Sequence, residues 1–218
     1  MDIKTAIETR KSTRGFIDKQ IPTEILEDIL TTAFRSPSST NVQPWYVHVV
    51  RGEVLDHIKD ANDKLFNDGI DVDVPEPPLT AIHKQRRIGL AKDLFRLLEI
   101  KREEIDKRTA WQAQNNRLFE APCAMILTID KDFFENKYGV FNAGLLAQSI
   151  CLAAMQHGVS TCITEQGSSY HSVIKDYLDI GDDEVILVAI VLGYEDPDFA
   201  ANKLVSQRAP LEEVAKFY

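Results

Sequence analysis

The stretch Ser36-Pro37-Ser38-Ser39-Thr40-Asn41-Val42-Gln43-Pro44-Trp45 lies between an amphipathic helix pattern and an apolar strand pattern. Its two prolines restrict φ and remove backbone donors, so the sequence predicts a rigid loop rather than a flexible one. The two carboxamides each offer a donor and an acceptor, which suits the edge of a heteroaromatic ring. The alternative interpretation is a surface turn, because such residues also fill ordinary loops.

On either side of this loop, apolar spacing predicts regular elements along the whole chain. We expect helices at 2–10, 24–34, 53–66, 139–157 and 169–178, strands at 45–50, 124–129, 160–164 and 185–192, and a short helix in the tail. Thr23 is expected to cap the second helix, and residues 71–78 read as an acidic, proline-rich loop. Helices and strands alternate without a repeat or a linker, so the pattern indicates one domain, 1–218, of mixed α and β class.

Residues 80–118 form a strongly charged block that favours helix. The apolar positions that could dock it onto the rest of the chain are Leu90, Leu94, Leu97, Leu98 and Ile105. We interpret the region from about 67 to 118 as a helical excursion from the core that forms a lid over a site. The alternative is a plain two-helix decoration.

The composition limits the classes of partner. The chain has 218 residues, 44% of them hydrophobic, and a formal charge of −9, so nucleic-acid binding through a basic surface is not expected. We see neither a signal peptide nor an apolar segment of membrane-spanning length, and we expect no membrane partner. The three cysteines form no CxxC pair. These features together favour a reducing cytoplasm.

The segment Arg10-Lys11-Ser12-Thr13-Arg14-Gly15-Phe16 carries three of the cations. If it is extended, alternate side chains share one side, so Arg10, Ser12 and Arg14 converge. Two guanidinium groups and a hydroxyl make a suitable phosphate cradle. The alternative is a solvated basic turn.

The expected helix at 139–157 is apolar on nearly all sides. Such a helix lies either in the core or at a subunit interface.

Several common catalytic patterns are absent from the sequence. No GxGxxG follows a strand, no GxxxxGK[ST] or GxSxG occurs, and the five histidines lack paired metal spacing. Cys162 lies in a strand pattern typical of core. We find no catalytic side chain and no metal site, which indicates that a bound cofactor supplies the chemistry.

At this point the sequence resembles the FMN-dependent nitroreductase family. Four stretches carry the resemblance: the basic segment 10–16, the loop 36–45, Gly158-Val159-Ser160-Thr161-Cys162-Ile163-Thr164-Glu165, and Leu192-Gly193-Tyr194 leading to Arg208-Ala209-Pro210-Leu211. Asn115-Asn116-Arg117-Leu118-Phe119-Glu120-Ala121-Pro122 is most similar to the nitrobenzene and nitrobenzoate reductase branch. The resemblance implies an α+β fold with a central, mainly antiparallel sheet flanked by helices. It also implies a domain-exchanged homodimer with FMN at the interface.

The resemblance also assigns site residues. Phosphate contacts fall on Arg10, Ser12 and Arg208, with Lys11 and Arg14 nearby, and the backbone donor to the flavin N5 edge falls at Glu165. The partner subunit's loop supplies Pro37, Ser38, Ser39, Asn41 and Gln43. The carboxamide and cation below the flavin pyrimidine are placed on Gln114 or Asn115 with Arg117. Two departures are Gln166, where glycine is frequent, and Ser206, where several members have lysine, which leaves fewer cations at the phosphate.

The implied activity is reduction of a nitroaromatic, or of a quinone, by NADH or NADPH. Two-electron transfer would run through one shared slot, with nitroso and then hydroxylamine products. The alternatives are a flavin-binding storage or sensor module without turnover, and a reductive dehalogenase or flavin-modifying enzyme of the same fold.

Overall fold

Two apolar strands form the centre of the sheet. The protein is described here by a computed structural model, in residues 2–75 and 78–218. Within these ranges β1 (Trp45–Arg51), β2 (Cys123–Asp130), β3 (Ser160–Thr164) and β4 (Glu184–Gly193) form one sheet in the order β1-β2-β4-β3. All three pairings are antiparallel. The expected α+β class and antiparallel sheet are therefore confirmed.

Helices cover both faces of this sheet. Their bounds are α1 Ile3–Thr9, α2 Thr23–Ala33, α3 Glu53–Asn67, α4 Ala81–Leu97, α5 Ile105–Asn116, α6 Lys131–Phe134, α7 Lys137–Gln156, α8 His171–Tyr177 and α9 Leu211–Val214. Short 3-10 turns lie at Ser39–Asn41, Leu118–Glu120, Gln166–Ser168 and Ala200–Lys203.

The strand β2 separates two hydrophobic cores. Ala124 and Ile126 face a core built with α3, α5 and α8. Met125, Leu127 and Ile129 face the other core, built with α2 and α7. Because successive side chains of a strand point to opposite faces, a strand that is apolar at every position requires a helical layer on each side.

The predicted strands all exist, and the helix predictions differ mainly at their ends. Thr23 is the first residue of α2 rather than its cap, which is Pro22. The Thr23 hydroxyl instead accepts a hydrogen bond from Arg51 Nη2 at 2.9 Å, so the capping prediction is wrong. Residues 71–75 and 78 form no helix or strand, as expected of a loop, and the prediction at Glu76 and Pro77 lies outside the described residues.

The charged block forms α4 and α5, and both helices contribute side chains to the hydrophobic core that also contains α3. Leu94 is buried, and Leu90, Leu97 and Leu98 are half-buried against the same core. Ile105 is 63% exposed, so its predicted docking role is wrong. The anchor of α5 is Trp111, whose ring lies 6.1 Å from that of Phe119 between centroids. An indole buries more apolar area than Ile105 could.

The helix α7 has 20 residues, and its most apolar window has a mean hydropathy of 1.4. By length and composition this is enough to cross a membrane, so the expectation that no segment reaches that length is wrong. Within the fold 44% of that window is buried, and core helices of water-soluble proteins pass the same test. Tyr138 and Phe141, near its start, are more than half exposed.

Candidate functional site

The outer edge of β3 is where the predicted site segments meet. The basic segment 10–16 runs beside this strand, because the N–H of Thr13 donates to the carbonyl of Thr161 at 2.9 Å. Phe16 then forms an isolated antiparallel bridge with Glu195, just past β4. The turn Gln166–Ser168 follows the other end of β3 and packs against α5. We call this region, made of residues 10–16, β3, 165–168 and 114–117, the β3-edge site.

A buried asparagine holds the basic segment in place. Asn202 is 1% exposed, and its Oδ1 accepts hydrogen bonds from the backbone N–H groups of Arg14 and Gly15 at 2.7 and 3.1 Å. Its Nδ2 donates to the carbonyls of Gly15 and Asp196 at 2.8 and 2.9 Å. One side chain therefore fixes the backbone of a segment 187 residues away in the chain.

Arg10, Ser12 and Arg14 lie on one side of the basic segment. Burial raises the pKa of the Cys162 thiol, while Arg14, the Ser12 hydroxyl and Arg10 each oppose that rise. All three groups are thus close to one atom of β3, as the alternation of an extended chain predicts. Because the thiol is held protonated, Cys162 is unsuited to act as a nucleophile.

Lys11 points away from this group. Its Nζ donates to Glu195 Oε1 at 2.8 Å and to the carbonyl of Asn202 at 2.6 Å. The ammonium is therefore paired with a carboxylate and held by a backbone carbonyl, away from Arg10 and Ser12. Alternation explains this result, since Lys11 is out of phase with Arg10 and Ser12.

The turn after β3 holds Glu165 in a defined conformation. Gly167 N–H donates to Thr164 Oγ1 at 3.1 Å, and Ser168 N–H donates to the carbonyl of Glu165 at 3.1 Å. In the described part of the chain, the Glu165 N–H donates no hydrogen bond and the residue is exposed. An open backbone donor at a fixed position can bind the edge of a ring. Gln166 Nε2 instead reaches Asn116 Oδ1 at 3.5 Å.

Residues 114–117 border the same turn, and they differ in how many of their side-chain groups already have a hydrogen-bond partner. Gln114 and Asn115 are half-buried at the end of α5. Arg117 donates to Glu120, and to Asp60 Oδ1 at 2.8 Å. The hydrogen bond to Glu120 is the largest cause that raises the pKa of Arg117, with Asp60 adding to it against the effect of burial. The guanidinium is thus committed to two carboxylates, which argues against its predicted place below a pyrimidine ring.

The loop 36–45 is held on α7. Ser36 Oγ donates to Ser149 Oγ at 2.6 Å, and the N–H of Ser39 donates to Asn142 Oδ1 at 3.3 Å. Thr40, Asn41 and Gln43 all have positive φ, a region that side chains rarely adopt. Such strain persists only where surrounding contacts hold it. Pro37, Ser38, Ser39, Asn41 and Gln43 are all at least partly exposed.

One chain does not bring the end of this loop to the β3-edge site. Pro44 precedes β1 and its carbonyl accepts from Asp130 N–H, at the last residue of β2. The basic segment lies at the other end of β2, and β1 and β3 are opposite edges of the sheet. The eight residues of β2 alone span roughly 24 Å.

The tail residues Ser206 and Arg208 are exposed. Arg208 Nη1 donates to Ser206 Oγ at 2.7 Å and to the carbonyls of Ser206 and Gln207. In the part of the chain that the structure describes, no salt bridge joins Arg208 or Arg10 to a carboxylate. Both guanidinium groups are therefore available to an anion.

The arrangement can bind an elongated anion beside β3. Cations and a hydroxyl stand at one end, and an open backbone N–H with carboxamides stands at the other. No group of three metal-binding side chains occurs among the residues searched, 2–75 and 78–218. Sequence reasoning missed Asn202 and Asn62, because an isolated asparagine carries no motif and only burial reveals its role.

Known proteins are similar in sequence to this chain along nearly its whole length. The profile described as the nitroreductase family matches residues 7–194. The chloronitrobenzene nitroreductase of Comamonas testosteroni is 30% identical over 220 residues, covering 99% of this chain and 96% of that protein.

Solved structures share the architecture as well. The FMN and NADPH-dependent nitroreductase NfnB from Sphigopyxis sp. strain HMH superposes with a TM-score of 0.93 at 28% identity, covering 100% of this chain and 99% of the other. The FMN-dependent nitroreductase NfnB from Mycobacterium smegmatis, solved in complex with NADPH, gives 0.91 at 26% identity, with 99% and 97% covered.

We predict that Asn202→Ala lowers the free energy of unfolding by about 2–4 kcal/mol, because buried backbone groups at 14–15 lose their partners. Urea unfolding measures this change. Asn202→Asp keeps the acceptor for Arg14 and Gly15 but sets a buried carboxylate oxygen against the carbonyls of Gly15 and Asp196, so it should destabilise at least as much as Asn202→Ala. Lys203→Ala, at the exposed neighbour, should stay within about 0.5 kcal/mol of the parent. Equal effects of Asn202→Ala and Lys203→Ala on the free energy of unfolding would contradict the role of Asn202 in holding the basic segment.

Proposed function

This chain belongs to the nitroreductase family, and on that premise we propose that it is an FMN-dependent NAD(P)H oxidoreductase that reduces nitroaromatic compounds. The observation that carries the proposal is the match over the whole chain to enzymes described as dependent on FMN and NADPH. A storage module and a dehalogenase of the same fold are less well supported, because the relatives matched over nearly their full length are nitroreductases.

The residues of the β3-edge site fit FMN. The cations Arg10 and Arg14 and the Ser12 hydroxyl match a phosphate, which favours charge-assisted donors. The open N–H of Glu165 matches the polar edge of an isoalloxazine ring. The cations and this N–H lie at the two ends of the same strand, β3. Asn142 Nδ2 is buried without a partner in the described residues and lies beside the loop residue Ser39. That orphaned donor marks the loop as a second place with unused hydrogen-bonding capacity.

Each residue has a role that its contacts permit. Bound FMN would accept hydride from NAD(P)H and deliver two electrons to a nitroaromatic acceptor. Arg10, Ser12 and Arg208 would hold the phosphate, while Arg14 would add positive charge beside it. Glu165 would aim its N–H at the ring edge, and Gln114 or Asn115 would bind the pyrimidine side. Orientation and electrostatics are thus the contribution of the protein.

We also propose that the site is completed by a second copy of the chain. The end of the loop 36–45 lies far from the β3-edge site of its own chain, at the opposite corner of the sheet. The exposed apolar side chains Ile3, Ile7 and Phe141 lie on α1 and α7, and a cavity of 460 Å³ lies between these helices and α2. Exposed apolar side chains on two neighbouring helices are typical of a subunit interface.

Arg10→Ala and Arg208→Ala should each weaken FMN binding roughly ten- to a hundred-fold, because a charge-assisted hydrogen bond contributes about 1.5–3 kcal/mol. Titration of apoprotein with FMN, followed by flavin fluorescence, measures the dissociation constant. Arg96→Ala is the matched control, since Arg96 is exposed and pairs with Asp93 on the same helix. An Arg208→Ala variant that binds FMN as tightly as the parent would show that this cation does not hold the phosphate.

The parent should remain a dimer in sedimentation experiments at sub-micromolar concentration, because a folded site needs both chains. Phe141→Asp should shift the protein to monomer and lower FMN affinity, since a carboxylate would be buried in an apolar interface. Ile105→Asp is the control, because Ile105 is similarly exposed but lies on α5. A monomer that keeps flavin and activity would overturn the two-chain site.

Initial rates should give parallel double-reciprocal lines when NADPH is varied at several nitroaromatic concentrations. One slot above one ring face cannot hold nicotinamide and nitroarene together, so the two substrates must alternate. The flavin absorption should bleach with NADPH under anaerobic conditions and return on addition of nitrobenzene. Intersecting lines would rule out the shared slot, and a flavin that neither NADH nor NADPH bleaches would rule out the reductase.

A further inference from the structure

The side chain of Asn62, in the middle of α3, joins two segments that are distant in the chain. Its Nδ2 donates to the carbonyl of Asn116 and to the carbonyl of Gly167, each at 3.1 Å. The residue is fully buried at 0% exposure. The first acceptor ends α5, and the second lies in the turn after β3 that carries Glu165.

The turn and the end of α5 are in close contact at Gly167. A Cβ added to Gly167 would lie 2.5 Å from Leu118 Cδ2 and 3.1 Å from the carbonyl of Asn115. Only glycine fits there without moving one of the two segments. Gln166 Nε2 adds a weaker link to Asn116 Oδ1 at 3.5 Å.

The other hydrogen bonds of this turn are internal to it. Thr164 Oγ1 and Ser168 Oγ bond to groups between Thr164 and Gly167. They set the shape of the turn but do not place it relative to the helices. The neighbouring Ser169 donates its hydroxyl to the carbonyl of Gln166, and beyond it, within the described ranges, only the side chains of Asn62 and Asn116 hydrogen-bond to the turn.

The Asn62 side chain makes hydrogen bonds with its nitrogen but not with its oxygen. Its Oδ1 has no hydrogen-bond partner within the described residues, and neither does Asn116 Nδ2. A leucine of similar shape would remove the unpaired Oδ1, but the carbonyls of Asn116 and Gly167 would then lose their donor, so the asparagine is favourable only if its two donated bonds are needed. Local violations of this kind are expected at positions that serve a site.

We propose that Asn62 is a positioning residue that fixes the Glu165 N–H against the end of α5, and so sets the place of the flavin ring edge. The inference rests on the proposed flavin site. It assigns Asn62 no contact with the cofactor, because the side chain acts through the carbonyl of Gly167. The phosphate end, at Arg10 and Ser12, is held separately by Asn202 and should not depend on Asn62.

The test compares Asn62→Leu with Ile58→Val, a matched control one turn earlier on α3 that is equally buried. Three quantities are measured: amide hydrogen exchange by mass spectrometry, the FMN dissociation constant, and the rate at which NADPH bleaches bound FMN under anaerobic conditions. Gly167→Ala is the second variant, because it displaces the turn while leaving Asn62 intact.

In Asn62→Leu we expect exchange of the 164–168 amides to rise about ten-fold or more without a rise across β4, because only this turn loses its tether. The bleaching rate should fall about ten-fold, since small misplacement of a reacting edge is costly. The FMN dissociation constant should change less than about three-fold, because the phosphate contacts are intact. Gly167→Ala should lower the bleaching rate in the same way, even if Asn62→Leu does not fold.

Unchanged exchange at 164–168 in Asn62→Leu would overturn the proposal, as would a bleaching rate equal to that of Ile58→Val. A bleaching rate in Gly167→Ala equal to that of the parent would also overturn it. If the parent itself binds no FMN, or if neither NADH nor NADPH bleaches its bound FMN, the proposed function fails. The exchange measurement would still decide whether Asn62 fixes the turn.

Discussion

The pairing of β2 with β4 is the interaction on which the rest of the structure depends. Both strands are central, and β2 is buried at every position from Cys123 to Ile129. A strand with apolar side chains on both faces must be covered twice, so two separate cores form. The edges that remain, β1 and β3, are then the only places in this sheet where a ligand can approach strand backbone. The candidate site lies on one of them.

Buried carboxamides attach the site segments to this framework. Asn202 holds the basic segment, Asn62 holds the turn after β3, and Asn142 holds the loop 36–45, and each is at most 2% exposed. A buried amide gains from each hydrogen bond it makes and loses the full desolvation cost of each atom left unpaired. Asn202 is saturated with four bonds, whereas Asn62 and Asn142 each retain one unpaired atom. The basic segment is therefore the best anchored of the three.

Carboxylate partners distinguish the cations of the expected site from one another. The cations Lys11 and Arg117 look as suitable for an anionic ligand as Arg10 does. In the fold Lys11 meets Glu195, and Arg117 meets Asp60 and Glu120. Glu195 and Asp60 are far along the chain from the cations they pair with, and Glu120 is three residues from Arg117. A motif search along the sequence does not reveal that these carboxylates compete with a ligand for the cations.

The sequence by itself determined the element types, the class of fold and the family. Strand and helix periodicity is a local property, so all four strands appeared at their predicted positions within one or two residues. The motifs of the basic segment and the loop 36–45 indicated a phosphate cradle and a place for a ring edge, because their chemistry is also local, and their resemblance to the nitroreductase family implied FMN. Only the tertiary structure decided which cations have carboxylate partners, that Trp111 rather than Ile105 anchors α5, and that buried asparagines hold the segments of the candidate site. Those outcomes depend on burial and on contacts between residues far apart in the chain, which no local pattern contains.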